Sequence, residues 1–467
     1  MLGKHTLRIG ANEFALGMAS DDYAEDGYIG PSSSYINPFK ARGSISFLDS
    51  GTAKTASGSG SFIASCAHPE TSAQQRMFLT ASGKVFTCDS TGNLTERGTD
   101  STNTYLSLNS DMVEFNGNAY ATSTTDVALI DTSGWTIDHD WWTNTMSKTG
   151  LGSIGYHPLL VYNSTLFIGD GSRLHSYTGS VATYAHLALG ADESITALHI
   201  DPGSGMMMIA VVSSVDQDAT FNPRAYIYLY NGSEAYPRRK IPVEAMVTGF
   251  CSVGGRVFVG YGTKVGFWNG AGVDFLRDLT GVTRDRKYLP GKHQMAAWED
   301  VLLVGSGVNV MAYGATSAGS RGWFNMFQTV NGGLTRMVSY IGSGKFMIAS
   351  GTSDVIYYFN TGSSNGSIEL YTRRFTFNRP VNITSLTLVT SAFDDTPSLG
   401  SVTIYDDKGN AVQPAEPAIK NYVNSTTQYI KEFKFSLSTQ SFQVYITTGG
   451  SSTLQIRSIL VGYNVIE

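Results

Sequence analysis

The chain has 467 residues, a formal net charge of −6 and 15% charged side chains, well under the roughly 25% of an average soluble domain. That balance argues against a sequence-specific DNA binder, which needs a basic face to neutralise phosphates. Gly numbers 51 and aromatics reach 12%, while Lys and Glu, the usual fillers of exposed helix faces, are scarce; the composition is β-rich and turn-rich.

Residues 1–50 stand apart from the rest of the chain. Asp21-Asp22-Tyr23-Ala24-Glu25-Asp26-Gly27-Tyr28 is acidic and aromatic, and Pro31 and Asn37-Pro38 break any regular element. The segment reads as an extended arm. Its alternating Ser44-Ile45-Ser46-Phe47 is expected to be a strand that completes the last repeat and removes an open edge. Met1 to Arg8 lacks the apolar centre of a signal peptide, and no apolar run approaches the ~20 residues of a membrane span. The expectation is synthesis in a cytoplasm without a membrane span.

From 51 to 365 one pattern recurs without a repeated sequence: a short apolar run, a Gly/Ser/Asn/Asp turn, and a second apolar run. The clearest copies pair Thr165–Ile168 with Leu174–Tyr177, Val257–Val259 with Val265–Trp268, Val301–Val304 with Val308–Met311, and Phe346–Ala349 with Val355–Phe359. Weaker copies are Val85–Cys88, Ala119-Tyr120 with Val127–Ile130, and Met206–Ile209 with Tyr226–Leu229. About seven copies at intervals of roughly 40–50 residues match the spacing of β-propeller blades. Hairpins this short cannot bury an apolar face alone, so stacking them around an axis is the natural solution. Helix signals are sparse, His293–Leu302 being the best.

After Ser364-Asn365-Gly366-Ser367 the pattern changes. Runs such as Ile383–Val389, Phe433–Leu437, Phe442–Ile446 and Leu454–Val461 alternate apolar and polar residues, as half-buried strands do. The fold class is therefore all-β: an arm (1–50), a propeller of about seven blades (51–365) and a C-terminal β-sandwich (366–467).

Motifs that carry chemistry are mostly absent. Cys66, Cys88 and Cys251 have no metal-ligand spacing and read as small buried hydrophobes; the eight scattered histidines receive no role. Gly342-Ser343-Gly344-Lys345 lacks the spacing of a phosphate loop and reads as a hairpin turn. Asp131-Thr132-Ser133-Gly134-Trp135 has the outline of a sialidase Asp-box, without an equivalent visible in other blades. Asp138-His139-Asp140-Trp141-Trp142 has two readings: a sugar platform or metal site, or a blade-connecting loop whose Trp pair is buried against a neighbouring blade or subunit. Asp274, Asp278, Glu299 and Asp300 are carboxylates that would serve a glycosidase only if two of them paired. No catalytic, cofactor-binding or metal residue is assigned. Arg238-Arg239-Lys240 and Arg284-Asp285-Arg286-Lys287 are dense basic clusters. The first is a candidate contact for an acidic surface, such as Asp21, Asp22, Tyr23, Asp26 and Tyr28 of an adjacent copy.

The layout of arm, divergent propeller and short β-domain resembles the tail-associated propeller proteins of bacteriophages, the nozzle or tail-hub proteins of short-tailed phages above all. The residues carrying it are Tyr28-Ile29-Gly30-Pro31 in the arm and Ser441–Ile446 with Leu454–Ile459 at the C-terminal end. The resemblance implies a virion structural protein of the tail, forming a homo-oligomeric ring around the DNA exit path. It would contact adaptor, tube or fibre proteins, pass DNA without specific binding, and have no enzymatic residues to transfer. Two other functions compete: a tail adhesin gripping a host glycan or protein through Trp141, Trp142 and Trp323, and a propeller glycan hydrolase.

Overall fold

The computed structural model describes residues 4–10, 13–14, 16–17, 29, 36–37, 46–47, 51–69, 74–106, 110–146, 151, 156–213, 224–279, 291–317, 320–328, 333–351, 354–360, 368–390, 398–415, 430–449 and 455–466. Seven four-stranded antiparallel sheets follow one another along the chain. They are blade 1 (Phe62–Ala67, Gln74–Thr80, Lys84–Asp89, Leu94–Thr99) and blade 2 (Met112–Phe115, Asn118–Thr122, Val127–Asp131, Thr136–Asp138). Blade 3 is Leu159–Tyr162, Thr165–Asp170, Arg173–Tyr177, Ala182–Ala188; blade 4 is Glu193–Ile200, Met207–Ser213, Ala225–Tyr230, Arg239–Val243. Blade 5 is Val247–Val253, Arg256–Tyr261, Lys264–Trp268, Val273–Asp278; blade 6 is Met295–Trp298, Val301–Ser306, Asn309–Ser317, Ser320–Gln328. Blade 7 takes Thr335–Gly342, Lys345–Ser350 and Val355–Asn360 from late in the chain and Thr52–Thr55 from early in it.

The first strands of successive blades touch one another in a closed circle, blade 7 against blade 1 included. This is a seven-bladed propeller. The hairpins legible in the sequence are the two middle strands of each blade. Closure comes from Thr52–Thr55, with Ala53 opposite Tyr357 and Lys54 opposite Ile356. It does not come from Ser44–Phe47: Ser46-Phe47 pairs with Ile36-Asn37 instead. The expected helix at His293–Leu302 is a single 3-10 turn, Lys292–Gln294, running into the first strand of blade 6. Among the described residues no helix is long and apolar enough to cross a membrane.

Stacking supplies the core, because a two-faced sheet needs cover on both faces. Phe62, Phe78 and Phe86 of blade 1 pack with Met337, Met347 and Ile356 of blade 7. Tyr162 and Leu174 of blade 3 pack with Ile209 and Tyr230 of blade 4, and Ile227 of blade 4 with Val259 and Trp268 of blade 5. Two-residue turns join the first and second strands of blades 2 and 5. Asn116 and Gly117 have φ of 51° and 80°, Gly254 and Gly255 of 55° and 76°, the left-handed pair that matches hairpin twist. Ser343 and Gly344, the phosphate-loop lookalike, form the same turn in blade 7 with φ of 51° and 69°.

Two compact units emerge: Thr52–Val308 with Asn331–Tyr358, and Met1–Gly51 with Asn309–Val330 and Phe359–Glu467. The second unit contains a seven-stranded sheet ordered Lys4–Ile9, Ile456–Val465, Phe375–Thr390, Ile430–Gly449, Ser398–Tyr405, Ala411–Val412, with Ile368–Tyr371 also paired to Ile430–Gly449. One hydrogen-bonded path thus joins the strands of the segment expected to form a sandwich. Along Ile430–Gly449, Phe433, Phe435 and Leu437 are buried between exposed neighbours, and the buried set then passes to Phe442, Val444 and Ile446. The start of the arm is likewise built in: Lys4–Ile9 lies opposite Ile459–Asn464, and buried Ile29 bridges Thr372.

Candidate functional site at the propeller axis

The inner strands bring together residues that no local motif announces. Asp111 ends the loop entering blade 2, and Lys292 and His293 form the turn entering blade 6. Lys292 Nζ donates to both Asp111 oxygens at 2.8 Å and to the Leu159 carbonyl at 3.1 Å. The backbone N–H of Met112 donates to Oδ1 at 2.7 Å and that of Leu159 to Oδ2 at 2.8 Å. His293 Nδ1 accepts from the Ser65 N–H at 3.3 Å. Its Nε2 therefore carries the proton and donates to Asp111 Oδ1 at 2.9 Å.

Asp111 is buried. Desolvation opposes its charge, but Lys292 and the His293 hydrogen bond outweigh it and hold the carboxyl well below the usual carboxylate range. Burial pushes His293 below the ordinary histidine value despite Asp111. The result is a clasp joining blades 1, 2, 3 and 6, with both carboxylate oxygens already engaged.

Lys292, His293 and Phe250 belong to the walls of two cavities, so they stand between them. One, of about 40 Å³, is bordered by Ser110, His157, Thr196 and Thr248. The other, of about 460 Å³, is lined by Cys66, Arg76, Glu114, His199, Ser252 and Tyr340 among others. His199 Nε2 lies 2.7 Å from Ser252 Oγ, and its ring stacks on Phe250 at 5.5 Å. Desolvation, then the Lys292 charge, pushes it down to about 4, so it is neutral at pH 7. Burial pushes the Cys66 and Cys251 thiols up to about 12. A thiol so raised is protonated at pH 7 and a poor nucleophile.

The residues singled out from sequence lie elsewhere. Asp21, Asp22, Tyr23, Asp26 and Tyr28 lie outside the described residues, as does 284–287. Arg238 pairs with Glu234 on the surface at 2.6 Å. Lys240, on the outermost strand of blade 4, bonds Glu193 at 2.8 Å and sits 3.9 Å from the Tyr226 ring centre. Glu193 is held below the usual carboxylate range, because hydrogen bonds from Lys240 and Tyr228 outweigh its burial. Arg239 is exposed and borders a groove with Arg256 and Trp268.

Trp141, Trp142 and Trp323 are 5%, 0% and 6% exposed, which agrees with the buried reading of the Trp141-Trp142 pair and leaves none of the three on the surface. Trp141 and Trp142 lie on a short helix, Trp141–Met146, wedged into the core shared by blades 2 and 3. So short a helix cannot bury two indoles unaided, so the blades cover them. Asp138 and Asp140 stay at the surface: the Asp140 N–H donates to Asp138 Oδ1 at 3.2 Å, and Asp140 lies 3.3 Å from His139. Asp274, Asp278, Glu299 and Asp300 are all exposed; Asp274 accepts from the Asn269 amide at 2.9 Å and Asp278 from the Thr263 hydroxyl at 3.1 Å. Among the described residues no group of three or more His, Cys, Asp or Glu is placed to hold a metal.

The Asp-box outline has equivalents that sequence reading missed. In the turn between third and fourth strands, Asp89 accepts the Thr91 and Asn93 N–H groups and Asp131 accepts that of Ser133. Asn231 accepts from Ser233 and Glu234, and Asn269 from Ala271 and Gly272. These are turn-stabilising contacts. The signal was an Asp or Asn, followed closely by Gly, just after the third strand.

No family model and no curated protein matches the chain. Solved structures similar to it include "YCF48 bound to D1 peptide" at 11% identity and TM-score 0.46, covering 67% of this chain and 97% of that one. "Structure of Dos1 propeller" is similar at 12% identity and TM-score 0.42, covering 67% and 95%. A chain of "Crystal Structure of Mitotic Checkpoint Complex" is similar at 10% and 0.43, covering 66% and 94%.

Proposed function

We propose that the protein is a structural component of a bacteriophage tail, a rigid building block of a homo-oligomeric ring around the DNA exit path, and not an enzyme. The observation that supports a non-catalytic role is the state of Asp111. A propeller enzyme needs charged groups converging on the axis with free valence toward a substrate. Here the buried axial carboxylate spends both oxygens on Lys292, His293 and two backbone N–H groups. The tail assignment draws on the layout of arm, propeller and β-domain and on the net charge of −6, which suits a wall past which DNA slides. Adaptor, tube or fibre proteins are its proposed partners. The adhesin reading loses the three tryptophans that motivated it.

Two measurements test this. Gold-labelled antibody against the chain should decorate the tails of intact particles; label confined to lysate and absent from purified particles overturns the proposal. Deleting residues 1–50 should block incorporation into particles, and normal incorporation counts against an assembly role for the arm.

A further inference from the structure

Among the described residues, Arg76 is the one cation in the wall of the larger axial cavity that lacks an anion. It lies on the second strand of blade 1 and is partly buried. Its Nε donates to the Tyr340 carbonyl of blade 7 at 3.0 Å, and no carboxylate forms an ion pair with it among the described residues. A guanidinium does not give up its proton in a protein, so the charge remains although burial disfavours it. Lys292 is neutralised by Asp111. Glu114, in the same wall, accepts the Gly117 N–H at 2.9 Å, keeps its charge and forms no ion pair with Arg76 among the described residues. The thiols of Cys66 and Cys88, pushed up to about 12, give Arg76 no counter-charge. A positive fork whose terminal nitrogens have no partner among the described residues therefore borders a cavity of about 460 Å³.

We propose that this axial cavity is a carboxylate-binding site, in which the Arg76 fork takes both oxygens of one singly charged carboxylate and the His199–Ser252 pair offers a neutral polar edge across the axis. Planar two-point recognition is what a guanidinium does best. The single charge follows from the surroundings: Glu114 stands in the same wall, so a phosphate dianion would meet about twice the repulsion that a singly charged carboxylate meets there. The carboxylate comes either from a free small organic acid or from an acidic side chain of a partner inserted along the axis. The site does not depend on a place in a phage tail.

Saturation-transfer NMR on the full chain tests it with butyrate, a capped Gly-Gly-Glu-Gly-Gly peptide and its Gln counterpart, with inorganic phosphate as competitor. Butyrate or the Glu peptide should give a saturable signal; butyrate alone identifies a small acid, and the peptide alone a partner side chain. The Gln peptide should give none, and equimolar phosphate should displace neither. Arg76→Gln should weaken binding about tenfold or more, a charge-assisted bond being lost. Glu114→Gln keeps the fork and removes the repulsion, so it should tighten binding severalfold, and it decides the matter should Arg76→Gln not fold. No signal from either ligand, unchanged binding in folded Arg76→Gln, weaker binding in Glu114→Gln, or displacement by phosphate overturns the proposal.

Discussion

Asp111 and Lys292, 181 positions apart in the chain, meet at 2.8 Å through both carboxylate oxygens at the propeller axis. The pair ties the loop entering blade 2 to the turn entering blade 6, and through Leu159 it holds blade 3 as well. Removing the carboxylate strands a lysine, a histidine and two backbone donors. Asp111→Ala should cost about 2–3 kcal/mol, discounted because Lys292 is partly exposed. Urea unfolding checks this, and Lys292→Met in the same background should then add little.

The axis should also make the protein acid-labile in two stages. His293 and His199 are lowered on folding, His199 to about 4. The unfolded chain therefore binds more protons below about pH 6.5, and stability present above that value is lost as pH falls toward 4. Asp111 is depressed on folding, so its contribution is present above about pH 4 and lost below it. Melting temperature followed from pH 8 to 3 should fall across both windows. His199→Gln should flatten the upper one, and an unchanged slope in that variant would sink the assignment.

Closure by Thr52–Thr55 covers an edge that blade 7 otherwise presents to solvent. Proline at both Ala53 and Lys54 breaks the ladder from the early strand. Limited proteolysis should then cut faster near 52–55, with a melting temperature several degrees lower.

Gly92 has φ of +75°, and a Cβ there would come within 2.4 Å of the Tyr358 ring, across the contact between blades 1 and 7. Strain and overlap act together, so Gly92→Ala should cost about 2 kcal/mol or more by chemical unfolding.

Trp142 is fully buried and meets the His175 ring edge-on at 4.8 Å. Trp142→Ala should cost about 3–5 kcal/mol. Its indole nitrogen has no hydrogen-bond partner among the described residues, so Trp142→Phe should recover more than half of that loss, since only volume is missing.

The blade hairpins were legible because their chemistry is local. An apolar run, a turn residue that accepts left-handed φ and a second apolar run lie within about fifteen residues, and a pair such as Val257–Val259 with Val265–Trp268 carries all of it. Innermost strands were less legible, since Met112–Phe115 and Leu159–Tyr162 are four residues each and face the axis as well as their neighbours. Trp141 and Trp142 show the limit of composition: beside two aspartates they fit a platform or a buried pair alike, and the covering blades decide that they are core.

The chain's own order of residues determined an all-β protein of stacked hairpins, because turn chemistry and period-two burial act between near neighbours. Which strand seals the circle, which carboxylate Lys292 reaches and which cation has none among the described residues were decided only by the tertiary structure. Those choices depend on long loops closing over hundreds of residues, and a charge far away in the chain leaves no trace in the local pattern.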